Sequence, residues 1–109
     1  MSDLLPGPVG EYFAAANERA PDRVAACFAP TATVRDEGRE ICGRRDIRNW
    51  AQHTGDTYGY TATVTAVEQT PDLVVVTAKL VGEFPGSPID LRYRFALASG
   101  LIARLEIGR

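Results

Sequence analysis

At 109 residues the chain has room for one domain, residues 1–109, and one core, because a chain of this size buries roughly two thirds of its unfolded surface. The 12 basic and 14 acidic side chains leave a net charge of −2, so nothing electrostatic argues for nucleic acid or an anionic membrane as a partner. No apolar run approaches the ~20 residues of a membrane span, and Met1-Ser2-Asp3 lacks the basic and apolar regions of a leader, so the expected location is cytoplasmic.

In "PGPVGEYFAAANERA", Gly7 reads as a cap and Pro8 as the first helical residue, with Val9, Tyr12, Phe13 and Ala16 on one apolar face. Pro21 opens a second short helix; Asp22 favours its N-terminal end, Val24, Cys27 and Phe28 form its buried side, and Pro30 stops it. "TATVRDEG" then reads as a strand ending in Asp36. A third helix is expected from about Arg44 to Thr54, with Ile47, Trp50 and Thr54 at helical spacing and Arg44, Arg48 and Gln52 outward.

From about Tyr58 the chain is strand. β-Branched and aromatic runs alternate with turn signals at Thr70-Pro71-Asp72, Pro85-Gly86-Ser87-Pro88 and Ser99-Gly100, which implies consecutive antiparallel hairpins. In "IDLRYRFAL" the alternation puts Ile89, Leu91, Tyr93, Phe95 and Leu97 on one face and Asp90, Arg92 and Arg94 on the other. "LVVVTAKL" is apolar on both faces in part, and the helices suffice to cover only one. A second copy packed sheet to sheet would cover the other, so a homodimer is expected.

Helices followed by a strongly curved antiparallel sheet make an α+β cone, with the helices over the concave side and a pocket between the layers. Cys27 and Cys42 form no CxxC pair and read as reduced structural thiols. One histidine, His53, with scattered acids is a poor metal set; no GxSxG elbow and no Gly-rich phosphate loop occurs, so neither metal nor cofactor is expected.

The stretch "YFAAANERAPDRVAACFAPTATVRDE", the "GRRDIRNW" helix and the closing strands resemble the NTF2-like (cystatin-like) superfamily, and within it the SnoaL-like polyketide cyclase and ketosteroid isomerase branch. The resemblance spans nearly the whole chain. It implies a cone of about three helices on a mixed or antiparallel sheet, around a pocket for a small hydrophobic ligand. By it, Asp36 matches the isomerases' general base and Tyr12 their oxyanion donor. The physics agrees: a carboxylate on an apolar wall loses hydration and gains basicity, and a buried phenol donates a hydrogen bond to a developing enolate. The same comparison brings Leu91 to the position of the isomerases' second, protonated aspartate, while strand alternation sends Asp90 to the opposite face. Phe13, Phe28, Val34, Trp50, His53, Tyr58, Tyr60, Leu91, Tyr93 and Phe95 are the expected pocket walls. Glu37 is expected to point away from Asp36.

Two plainer roles stay open. Tyr12 can be a core side chain with a satisfied hydroxyl, and Asp36 a strand-end turn residue before Glu37-Gly38. Two functions are accordingly set out: proton transfer by isomerisation, cyclisation or dehydration of a small carbonyl compound, or a ligand-binding or assembly module on the same scaffold.

Overall fold

The computed structural model describes residues 5–109; the leader reading of Met1, Ser2 and Asp3 lies outside the described residues. Helix α1 (Gly7–Asn17) is capped by Pro6, so Gly7 is its first helical residue, not its cap, and Pro8 is its second, in the first turn where no N–H is needed; the helix buries Val9, Tyr12, Phe13 and Ala15. Helix α2 (Pro21–Ala26) has Asp22 in its first turn and turns Val24 and Ala25 inward.

Here the expected boundary moves. Strand β1 (Phe28–Asp36) begins right after the Cys27 cap, so Phe28 is a strand residue and Pro30 does not stop the helix. Pro30 falls where the pairing of β1 with its neighbour is irregular, between Phe28 and Thr33. A residue with no ladder donor is tolerated there. The next strand, β2 (Arg39–Cys42), was not expected. It is joined to β1 by a two-residue turn in which Glu37 (φ 53°) and Gly38 (φ 77°) are both left-handed, with Asp36 paired to Arg39. Helix α3 (Arg44–Tyr58) runs past Thr54 to a left-handed Gly59. Among the described residues no helix is long and apolar enough to cross a membrane.

The remaining strands, β3 (Thr61–Gln69), β4 (Val74–Val81), β5 (Ile89–Ala98) and β6 (Leu101–Gly108), follow the expected turns. All six form one open sheet in the order β2-β1-β6-β5-β4-β3, antiparallel except for the parallel β1–β6 pair. Register lines up inward side chains in rows across it. One row runs Val34, Leu105, Phe95, Val74; the next, one same-face step along, runs Asp36, Ile107, Tyr93, Val76. Phe28, Ile47, Phe95, Ile102 and Leu105 are fully buried between helices and sheet. On the outer face Val75 and Thr77 are half-buried, and Lys79 and Val81 are exposed.

Two contacts fix the helices against the sheet. Asn17, the last residue of α1, donates its amide to the Ala62 carbonyl (2.9 Å) and accepts from the Ala62 N–H (2.8 Å). Gly82, after β4, lies so near the α3–β3 connection that a Cβ there would sit 2.8 Å from the Tyr58 carbonyl and from the Tyr60 Cα. Only glycine allows that approach.

Candidate active site

A cavity of about 490 Å³ lies between the helices and the inner face of the sheet. Its buried walls include Tyr12 from α1, Tyr60 before β3, Leu80 from β4 and Tyr93 from β5. Asp36, Trp50, Thr54, Tyr58, Leu91 and Ile107 are half-buried around it, and the exposed Glu37, Pro85 and Arg109 mark its mouth. The row containing Asp36, Ile107 and Tyr93 faces this space.

Asp36 ends β1, and α3 brings the Trp50 indole against it: Nε1 donates to Oδ2 at 3.0 Å. Burial holds the Asp36 carboxyl above the ordinary carboxylate range. The Trp50 hydrogen bond opposes that shift, the neighbouring Glu37 adds to it and Arg39 opposes it. Oδ1 has no hydrogen-bond partner among the described residues and is not sealed from solvent, so it is the oxygen left to the cavity.

The tyrosines form the other half of the site. Tyr12 is 2% exposed, and its ring is met edge-on by Phe13 (5.1 Å), Phe28 (6.1 Å) and Phe95 (5.6 Å). Burial pushes its phenol well above its ordinary pKa, with further rises from Tyr60, Tyr93 and Asp36. Tyr93 is raised well above by burial, then by Tyr60 and Asp36. Tyr60 is also raised by burial, against the opposing pull of the Arg19 guanidinium over its ring (5.3 Å) and of Thr54. All three phenols are therefore neutral donors near neutral pH, gathered within electrostatic reach of one carboxylate.

Of the expected walls, Trp50, Tyr58, Tyr60, Leu91 and Tyr93 line the cavity with Tyr12 and Asp36. Phe13, Phe28, Val34 and Phe95 do not. They are buried core: the Val34–Leu105–Phe95 row is closed over, whereas the next row is covered only in part, by Phe13 and Tyr12 against Tyr93 and by Trp50 against Asp36, and borders the cavity. His53 is exposed on the outer side of α3, away from the cavity. Glu37 does not point away from the site: its left-handed turn brings it to the mouth beside Asp36. Asp90 is exposed on the outer face, opposite Lys79, so it contributes nothing to the cavity, and Leu91 occupies the wall. Thr54, Leu80, Phe84, Ile89 and Ile107, which were not expected there, complete the walls. Alternation signals the inward face for Leu80 and Ile89, but nothing in it marks where helical cover ends.

Comparison with known proteins identifies the family and the fold. The family model of the SnoaL-like domain matches residues 9–105. A candidate polyketide cyclase from Sinorhizobium meliloti is similar at 38% identity over 98% of both chains, with a TM-score of 0.94. A protein of ketosteroid isomerase-like fold from Catenulispora acidiphila, in complex with trimethylamine, is 22% identical over 95% of this chain and 85% of that one, at 0.84. A candidate ketosteroid isomerase from Kribbella flavida is 20% identical over 94% of this chain and 74% of that one, at 0.80. The last two show likeness of fold alone. No curated protein matches the chain. With its NTF2-like, cystatin-like cone and a family match over residues 9–105, the chain belongs to the SnoaL-like family.

Proposed function

We propose that the cavity binds a small hydrophobic carbonyl compound and catalyses general-base proton transfer on it, with Asp36 as base and Tyr12 as donor to the carbonyl oxygen. The observation that carries this is a half-buried carboxylate and a buried phenol on the wall of one 490 Å³ cavity, a volume within the range of small-molecule sites. Trp50 holds one carboxylate oxygen and leaves Oδ1 to take a proton from carbon, and burial raises its basicity. No cofactor is needed for that chemistry. Leu91 in place of a second donor removes an interaction of the kind whose loss costs on the order of a hundredfold or more, so a slower or easier isomerisation, cyclisation or dehydration suits the site better than full steroid isomerisation.

The test is exchange at carbon. A panel of hydrophobic ketones in D₂O, with and without protein, should take up deuterium at the α-carbon faster with the wild type and not with Asp36→Asn. Absence of exchange across the panel, together with an ordinary carboxylate titration of Asp36 by NMR, refutes the reading.

A binding module is the second reading, and aromatic walls around one carboxylate favour it. Trp50, Tyr58, Tyr60, Phe84 and Tyr93 beside Asp36 suit an alkylammonium guest held by ring faces and charge. The similar Catenulispora acidiphila protein is in complex with trimethylamine. Quenching of the single tryptophan, Trp50, by trimethylammonium with no deuterium exchange would favour this reading. Either function is compatible with a cytoplasmic homodimer packed through the outer sheet face. A monomeric mass by light scattering at micromolar concentration would remove the dimer.

A further inference from the structure

Leu91 leaves a developing oxyanion with one donor, yet the same strand offers another. Tyr93 lies one same-face step beyond Leu91 on β5, a rise of about 7 Å, and is 2% exposed on the cavity wall. Phe95 stacks along its ring (6.2 Å, 11°) and Phe13 meets it edge-on (5.0 Å, 74°), which fixes the ring on the core side. Its hydroxyl has no hydrogen-bond partner among the described residues and is not among buried unsatisfied atoms. It therefore opens on the cavity. The Tyr12 ring is 6.1 Å away with 59° between the ring planes, and the Tyr12 hydroxyl is equally unpartnered among the described residues. Tyr60, by contrast, is engaged by Arg19 and Thr54.

We propose that Tyr93 is the second hydrogen-bond donor to the reacting oxygen, so that the site stabilises an enolate or phenolate with a pair of phenols, Tyr12 and Tyr93. This rests on the proton-transfer reading of the cavity. Asp36 Oδ1 takes the proton from the carbon beside the carbonyl, and the C–H electron pair forms the C=C bond as the C=O π pair moves onto oxygen. Both phenols hydrogen-bond that oxygen and keep their protons. Asp36 then returns the proton to carbon and the carbonyl re-forms, with no other reactant consumed. A pair of phenols also predicts a pH profile. Burial raises both, so neither donor ionises below about pH 10, and activity has no alkaline limb short of that.

The probe is 4-nitrophenol, whose anion absorbs separately from its neutral form, with nitrobenzene as the isostere that lacks the oxyanion. Tyr93→Phe should weaken nitrophenolate binding about tenfold or more, as expected for loss of a hydrogen bond to a charged group, and leave nitrobenzene binding unchanged. Tyr12→Phe should do the same. Equal weakening of both ligands by Tyr93→Phe would mean a packing role and overturn the proposal. Should Tyr93→Phe not fold, 3-fluorotyrosine at position 93 keeps the packing and strengthens the donor, and must tighten nitrophenolate binding; unchanged binding overturns the proposal. Wild type that binds nitrophenolate, with an effect at Tyr12 and none at Tyr93, refutes the second donor alone. Wild type that binds no nitrophenolate and exchanges no ketone deuterium refutes the proton-transfer reading with it.

Discussion

The clamp between Asn17 and Ala62 determines whether α1, with Tyr12, stays registered on the strand that follows Tyr60. β3 is the sheet's edge, so the outward N–H and C=O of Ala62 have no strand to pair with, and the Asn17 amide takes both at 2.8 and 2.9 Å. Asn17→Ala removes both bonds. Each hydrogen bond contributes about 0.5–1.5 kcal/mol net of exchange with water, so the expected loss for the two is about 1–3 kcal/mol. At this chain length that lowers Tm by roughly 4–8 °C per kcal/mol. Asn17→Asp keeps the acceptor but loses the donor and faces the Ala62 carbonyl with a charge, so it should be destabilising too. Urea unfolding followed by the fluorescence of the single tryptophan, Trp50, measures both, and nitrophenolate binding reads the cavity. A loss under about 0.5 kcal/mol in Asn17→Ala, the size of an ordinary surface change, would refute the clamp.

Gly82→Ala should cost about 1–3 kcal/mol, because its Cβ at 2.8 Å from Tyr58 and Tyr60 backbone must push the α3–β3 connection away; thermal unfolding checks this. Asp36→Asn should stabilise the fold at neutral pH. Its folded carboxyl is raised, chiefly by burial, so the stability it gives the wild type is full below the ordinary carboxylate value of about 3.9 and is lost as pH rises through the folded value. The Tm gap between variant and wild type should therefore be present at pH 7 and close in acid; a gap independent of pH would refute the burial account. Trp50→Phe removes the donor that favours the charged carboxylate, so the Asp36 titration followed by carboxyl ¹³C NMR should move further upward. No movement would mean that the indole does not hold Asp36 in solution.

Much of the fold was legible because its signals are local. Pro21 opens a helix, Pro8 sits in the first turn of another, and turn residues at Thr70-Pro71-Asp72 and Ser99-Gly100 end strands at the expected places. "IDLRYRFALA" forms β5 over its full length. The departures occur where tertiary pairing overrides local preference. "REIC" has one buried residue, Ile41, and becomes a strand only because the Glu37-Gly38 turn lays it on β1. Pro30 looks like a helix stop, yet tolerates a strand because the ladder is already irregular there.

The site was legible in part for a different reason. Alternation along β5 predicts that Tyr93 and Phe95 both point inward, and they do, but inward is not the same as facing a cavity. What separates them is two residues of strand: Phe95 is enclosed in the core, while Tyr93, though also met by Phe13, belongs to the next row with Ile107 and Asp36 and reaches the cavity wall. That distinction depends on where α1 and α3 lie over the sheet, which contacts such as the Asn17 clamp and the close approach at Gly82 help to fix, and neither is visible as a pattern in the chain. The same geometry explains why Leu91 need not abolish chemistry. A strand that presents every second residue to the inner face can replace a lost donor at one position by a phenol two residues along, provided the ring reaches the same space. Tyr93, fixed by Phe13 and Phe95 with its hydroxyl unpartnered among the described residues, meets that condition.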